Sequence, residues 1–390
     1  MRAIVLSGGG AKGSYEIGVW QALKKLNIKY DLVTGTSIGA LNGALMVQNT
    51  FIKSLFVWNN LTMTTLFGSE MKKIPSDEEV IKMYGTNFLK SNGKGTDTTM
   101  IEAIIKKALN LNKFYHSPLN YGLITFEVDN LKPCILTKND IPKDKLYDYL
   151  TASSACYPAL AFKEINGHKY IDGGYYDNLP INLAIDMGAT EVIAVDLEAP
   201  GLKKPTKKNI SITTIKPNNK LTNFLNFNPA GAKKNMLYGY NDTMKVFNKL
   251  EGHKYTFKLG ELTKNQNIYQ ATYYYILDKV INTTTLTNSI KDLLKITRFD
   301  NDIKAYTFTT SMEAVGEALN IDDTKIYRAK RYNKKLLRTL KRLLKEGNNS
   351  SIITMYSLLL KEDYVPLRKI LLKEPTNFLK ALYLYSIKEC

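Results

Sequence analysis

Only three cysteines, Cys134, Cys156 and Cys390, occur in 390 residues. An odd number without metal-ligand spacing gives no disulfide framework and fits a reducing compartment. Histidine is as scarce, at His116, His168 and His253, so a histidine-rich metal site is not expected. No run of 18 apolar residues occurs, which removes a bilayer-spanning helix from the reading. The N-terminus enters an apolar strand by Ala3 without the basic segment, apolar core and cleavage site of a secretory signal, so cytoplasmic residence is expected. Acidic residues are outnumbered. The 54 Lys and Arg against 36 Asp and Glu leave a net charge of +18, which favours anionic partners without choosing between nucleic acid and anionic lipid.

What the chain does have is 44% apolar residues and length for one large or two ordinary domains. Its organising stretch is Ala3 to Ala44. Ala3-Ile4-Val5-Leu6 reads as a buried strand and runs into Gly8-Gly9-Gly10-Ala11-Lys12-Gly13, after which Ile17, Trp20, Leu23 and Leu26 hint at helical spacing. A second strand, Tyr30 to Thr34, leads to Gly35-Thr36-Ser37-Ile38-Gly39 and a helix from Gly39 to about Leu61. Strand, sharp turn and helix are the setting of a G-x-S-x-G nucleophile elbow, in which the glycines leave room for the turn and the serine stands at its tip. Consecutive glycine N–H groups at a helix start are suited to an oxygen that becomes negative during acyl transfer.

Two other readings fit parts of this unit. Gly8-x-Gly10-x-x-Gly13 matches a dinucleotide-binding fingerprint, but the acid wanted at the end of the second strand is replaced by Gly35-Thr36-Ser37. Ser37 also stands where a residue would cap the following helix.

Further along, Phe56, Trp58, Leu61, Met63 and Leu66 read either as a lid over something apolar or as ordinary core. Tyr121–Val128 and Cys134–Thr137 read as paired strands, and Asp144 to Pro158 as a helix ending in small residues. Asn166-Gly167 makes a tight hairpin whose second strand ends in Asp172-Gly173-Gly174. Asp177 or Asn178 can cap a helix at Pro180, and Glu191 to Leu197 is one more buried strand, so the alternation is α/β. Asp172 is the candidate partner of Ser37. A histidine base should follow the acid in a hydrolase triad, and only His253 does, in a turn with no strand-end context. A Ser–Asp dyad remains.

In this order, Gly8 to Gly13, Gly35 to Gly39, the small-residue block from Ala152 to Pro158 and Asp172-Gly173-Gly174 resemble the patatin-like phospholipases. The resemblance covers about the first half of the chain. It implies a three-layer α/β/α core and a lipid acyl hydrolase of phospholipase A or lysophospholipase type, with no metal and no cofactor. By the same resemblance Ser37 is the nucleophile, Asp172 the general base, and Gly8, Gly9, Gly10 and Lys12 the oxyanion region.

Strands give way to helices near Gly260, so the expected division is an acyl hydrolase domain over 1–259, its motifs within 3–198, and a helical domain over 260–390. Expected helices there include Ile268–Ile281, Leu286–Ile296 and Met312–Ala318. Lys325 to Lys345 carries ten Lys or Arg and no acid, beside an apolar stripe of Ala329, Tyr332, Leu336, Leu340 and Leu343. Such a helix either lies on an anionic membrane or packs on the core with a solvated basic face. A phospholipid or other lipid ester is the expected partner, with peripheral membrane contact through Lys325–Lys345; nucleic acid is not. The rival readings are a catalytically silent protein that binds membranes or nucleic acid through its basic helices, and a nucleotide-binding module built on the glycine loop.

Overall fold

The apolar run after Met1 becomes the middle of a sheet, because its four residues Ala3 to Leu6 are fully buried. The computed structural model describes residues 1–67, 78–79, 95–157, 159–282 and 301–390; Pro158 and the expected helix Leu286–Ile296 lie outside them. The chain divides into two compact units, Met1–Val246 and Phe247–Cys390.

The first unit runs through β1 (Arg2–Leu6), α1 (Ser14–Lys25), β2 (Leu32–Thr36), α2 (Ile38–Val47), α3 (Phe51–Asn60), α4 (Met63–Phe67), α5 (Thr99–Ala108) and α6 (Leu111–Tyr115). It continues with β3 (Asn120–Glu127), β4 (Lys132–Thr137), α7 (Leu146–Ser153), β5 (Lys163–Ile165), β6 (His168–Asp172), α8 (Ile181–Asp186), β7 (Glu191–Val195), β8 (Ser211–Ile215) and α9 (Pro229–Val246). The sheet has eight strands in the order β5-β6-β3-β2-β1-β7-β8, with β4 on β3. From β3 to β8 the pairing is parallel, whereas β3 pairs antiparallel with β4 and β6, and β6 with β5.

Alternation along β1 sets the layers. Ala3 and Val5 join Val192, Ala194 and Ala184 of α8 in a cluster on one face. On the other face α2 sits close enough that a Cβ on Gly43 would touch Val33, Tyr121 and Leu6. Burying each such aliphatic side chain contributes about 1.5–3 kcal/mol. These are the outer layers of a three-layer α/β/α unit.

Several boundaries differ from the expected ones. β2 runs on to Thr36, because its register with β3 continues to the pair Thr36 and Ile124. The helix expected from Gly39 to Leu61 is two, α2 and α3, parted where Asn49 turns at φ 53 and donates its N–H to the Met46 carbonyl. The helix expected from Asp144 to Pro158 is only Leu146–Ser153.

In the second unit β9 (Leu250–Glu251) and β11 (Ile326–Tyr327) flank β10 (Thr256–Lys258). The helices are α10 (Glu261–Asn282), α11 (Asn301–Ala318), α12 (Ala329–Lys345), α13 (Ser351–Leu360), α14 (Tyr364–Leu371) and α15 (Pro375–Ser386). Of the stripe of α12, Tyr332, Leu336 and Leu340 are buried in this unit's own core, and Ala329 is buried as well. A satisfied polar triad crosses that core: Asn333 donates to Asn265 at 2.7 Å and Tyr383 donates to Asn333 at 2.8 Å. Among the described residues no helix is long and apolar enough to cross a membrane.

Candidate active site

The first parallel strand pair delivers a turn and not a loop, because β2 ends at Thr36 and α2 begins at Ile38 with Ser37 alone between them. Ser37 is forced to φ 57 and ψ −127, a sparsely populated conformation that costs about 1–3 kcal/mol and persists only when its surroundings hold it. They do. The Ser37 N–H donates to Ser153 Oγ at 2.9 Å, and Ser153 Oγ donates onward to the Ile124 carbonyl at 2.7 Å. Thr36 Oγ1 donates to the Asp177 carbonyl at 2.7 Å. The flanking glycines are required by space: a Cβ on Gly35 would stand 2.4 Å from Gly39, and one on Gly39 2.5 Å from the Leu6 carbonyl oxygen. Although Ser37 occupies the N-cap position of α2, its side chain makes no capping bond.

That side chain reaches Asp172 instead, for a reason written in the sheet register. β4 occupies one edge of β3 from Gly122 to Glu127. On the other edge β2 pairs as far as Ile124, and β6 takes over at Thr125, which pairs with Asp172. The two strands therefore abut end to end on successive rungs. Ser37, one residue past β2, meets Asp172, the last residue of β6, and Ser37 Oγ donates to Asp172 Oδ2 at 2.6 Å. The other oxygen, Oδ1, accepts the Gly174 N–H at 2.8 Å, and the Asp172 N–H donates to the Ala155 carbonyl at 3.0 Å. Asp172 is wholly buried. Loss of hydration pushes its carboxyl up to about 7, against the lowering effect of the Ser37 and Gly174 hydrogen bonds. A carboxylate that gives up its proton near neutrality and already holds a serine hydroxyl can take that hydroxyl's proton. His116 Nδ1 lies 2.8 Å from the Asn112 carbonyl oxygen, His168 Nδ1 lies 3.5 Å from Glu127, and His253 belongs to the second unit.

The glycine loop passes beside the serine, a Cβ on Gly8 falling 3.1 Å from Ser37 Cβ. Its three glycines are not equivalent. The Gly8 N–H donates to the Asn178 carbonyl at 3.0 Å, while the N–H groups of Gly9 and Gly10 have no acceptor among the described residues. Ala11 N–H donates to the Phe224 carbonyl at 2.7 Å, and Lys12, buried within the short turn Gly10–Gly13, donates its N–H to the Gly9 carbonyl at 3.1 Å. The Ile38 N–H is the first of α2 and has no intrahelical acceptor.

Sequence reasoning did not single out Ser153, Asn178 or Ile38 for the site. Ser153 was one small residue in a block, and Asn178 a helix cap. In the structure Asn178 ties the glycine loop to the Asp172 loop, its side-chain amide donating to the carbonyls of Gly8 at 3.3 Å and Pro200 at 3.2 Å.

Behind Ser37 lies a cavity of about 100 Å³, its walls apolar and including Leu41, Trp58, Leu66, Ile105 and Phe227. Trp58, Leu61 and Leu66 of the segment read as lid or core are walls of this cavity, while Phe56 faces solvent. Trp58 is pinned: its indole N–H donates to Asn42 Oδ1 at 3.1 Å, and Asn42 donates to the buried Glu16 at 2.7 Å. No cluster of three or more His, Cys, Asp or Glu that could hold a metal ion occurs among the described residues.

Residues 4–185 match the model of the patatin-like phospholipase family. The chain is 29% identical over 199 residues to patatin-like phospholipase domain-containing protein 7 of Rattus norvegicus, and 30% identical over 200 residues to protein 6 of that name from Homo sapiens. It is 28% identical over 199 residues to lysophospholipase NTE1 of Mycosarcoma maydis. Each match covers 50% of this chain but only 13% of the two mammalian relatives and 9% of the fungal one. A solved structure, VipD from Legionella pneumophila, superposes on 99% of this chain and 90% of its own length at 13% identity, with a TM-score of 0.43. Residues 4–185, which hold the glycine loop, the Ser37 turn and Asp172, are the part of the chain that matches the patatin-like phospholipase family.

Proposed function

We propose that the first unit is a serine lipid acyl hydrolase that cleaves carboxylic esters of phospholipids or lysophospholipids. The observation that carries the reading is the 2.6 Å bond from Ser37 Oγ to a wholly buried Asp172 at the wall of an apolar cavity. The family match and a relative named as a lysophospholipase support the substrate class.

In this mechanism the Asp172 carboxylate takes the Ser37 proton as Oγ attacks the ester carbonyl carbon, while the acyl chain lies among Leu41, Trp58 and Phe227. The carbonyl oxygen becomes negative facing the N–H groups of Gly9, Gly10 and Ile38, donors that need no reorganisation as charge develops. Collapse breaks the ester bond, and the departing alcohol oxygen takes the proton from Asp172. Water then attacks the acyl-serine, losing its proton to Asp172, which passes it to Ser37 Oγ as the acyl–oxygen bond breaks; the hydroxyl and the carboxylate are restored and a fatty acid leaves. The strained turn at Ser37 and the dehydrated carboxylate are both costs in stability that aim a nucleophile and a base at one carbon. A nucleotide reading of the glycine loop has less support, since the N–H groups of Gly8, Ala11 and Lys12 are already engaged within the fold.

The test is fatty-acid release from phosphatidylcholine and lysophosphatidylcholine micelles, measured by mass spectrometry for the wild type and Ser37→Ala. Release that falls to background in a variant of unchanged melting temperature supports the reading. Release at the wild-type rate removes Ser37 as the nucleophile.

A further inference from the structure

With its apolar stripe in the core, α12 keeps a basic face whose purpose the acyl chemistry does not explain. Of the ten cations from Lys325 to Lys345, only Lys325 and Arg342 pair with an acid among the described residues, Asp322 at 3.2 Å and Glu346 at 3.8 Å. Like charges along one helix destabilise it, so their accumulation calls for an anion from elsewhere.

Three of them share a cleft. Lys335, Arg338 and Arg342 are three and four residues apart and so lie on one face of the helix. They line a cleft of about 640 Å³ within the second unit, which also takes in the segments around Asn320 and from Asn348 to Ile353. Thr339, Asn320, Asn348 and Ser350 add uncharged hydrogen-bonding groups, and no Asp or Glu lines it. Cations combined with hydroxyl and amide groups suit a phosphate: guanidinium forks match its oxygens and the neutral donors complete its shell, and the phosphate would displace the Glu346 carboxylate, which lies 3.8 Å from Arg342. The floor includes the buried Leu319 and Ile353, so the cleft is apolar below and cationic at the side.

We propose that this cleft binds the phosphate headgroup of an anionic lipid. The choice of a lipid over a free phosphate rests on the hydrolase reading, because an enzyme whose substrate lies in a surface gains from being held there; the phosphate chemistry stands without it. The apolar stripe does not enter the membrane, and the binding is made by side chains of the solvent-facing side of α12.

The test is sedimentation of the full chain with vesicles of ether-linked phosphatidylcholine containing about one tenth ether-linked phosphatidic acid, lipids that offer no ester to hydrolyse. A failure of the hydrolase reading therefore leaves this measurement intact. Two variants with the same net charge are compared. One carries Lys335→Gln, Arg338→Gln and Arg342→Gln in the cleft; the other carries Lys330→Gln, Lys334→Gln and Lys341→Gln, exposed positions outside it. The cleft variant is expected to bind about a hundredfold more weakly than wild type at low salt, and the control variant to lose less than about tenfold. Arg338→Gln alone, at an exposed position, is expected to bind about fivefold more weakly and repeats the comparison should the triple variant melt at lower temperature. Equal losses in the two triple variants overturn the proposal in favour of a solvated face drawn to any anionic surface. Absence of wild-type binding overturns it as well. Isothermal titration with glycerol 3-phosphate is the remaining arm: binding as tight as to vesicles would make this a site for a free phosphorylated ligand, and at least tenfold weaker binding supports the lipid.

Discussion

Replacing Asp172 by asparagine should cost the protein its activity and raise its stability at alkaline pH. Burial raises the Asp172 pKa from 3.8 to about 7, so between those values the native chain holds a proton that the unfolded chain releases. The stability contribution of this group is fully present below about pH 4 and is lost as pH rises through about 7. At about 1.4 kcal/mol per pH unit, the carboxylate at pH 8 lowers the wild type by about 4 kcal/mol relative to acid conditions. Asparagine does not titrate, and it fits the same partners: its carbonyl oxygen can accept the Gly174 N–H and its amide can donate to Ser37 Oγ. The advantage of Asp172→Asn over wild type should therefore grow by about 4 kcal/mol between pH 4 and pH 8. Ester hydrolysis by the variant should meanwhile fall by about two to four decades, the scale of a general base, and the wild-type rate should rise with pH through about 7 as the base ionises. Urea unfolding of both proteins at several pH values, beside turnover of a soluble aryl ester, measures all of this. A stability difference that stays flat from pH 4 to 8 would refute the dehydrated carboxylate, and a variant of wild-type rate would refute its use as the base.

Ser153→Ala removes the acceptor of the Ser37 N–H and the donor to the Ile124 carbonyl. Two buried groups lose their partner at about 1–3 kcal/mol each, so chemical denaturation should show a loss of about 2–6 kcal/mol, with kcat falling and KM little changed as the turn relaxes. A loss below 1 kcal/mol would show the turn held by other means. Gly39→Ala places a Cβ 2.5 Å from the Leu6 and 2.6 Å from the Ser7 carbonyl oxygens; backbone that close must move, and overpacking of this kind costs about 1–3 kcal/mol or more. Its melting temperature should drop, together with aryl-ester turnover, and a variant of wild-type stability and rate would contradict the packing of α2 on β1.

The parts of the site legible in the sequence are those fixed by local chemistry. Gly35 and Gly39 around Ser37 announce a turn because only glycine fits two places where backbone presses on backbone. Asn166-Gly167 announces the hairpin because both residues take positive φ, 52 and 81. The pairing of Ser37 with Asp172 was legible as a candidate, from the strand-end Asp172-Gly173-Gly174 and the want of a suitably placed histidine after it and then from family resemblance, but what joins them is the register of two strands sharing one edge of β3, which no local pattern records. Ser153 and Asn178 were missed for a related reason: their partners are 116 and 170 residues away, and their types suit small-residue packing and helix capping equally well. The apolar stripe of α12 was legible from spacing, but spacing is the same for a core and a membrane, and burial of Tyr332 and Leu336 decides for the core.

The central claim is that Ser37 is a nucleophile activated by Asp172, and covalent capture tests it most directly. The wild type is incubated with a fluorophosphonate and the modified peptide is mapped by mass spectrometry, across pH and beside Asp172→Asn. The account predicts a single adduct on Ser37, labelling that slows below about pH 7 as the carboxylate is protonated, and labelling slower by about two decades or more in Asp172→Asn. An adduct on another residue, or Ser37 labelled as fast in Asp172→Asn as in the wild type, would contradict it.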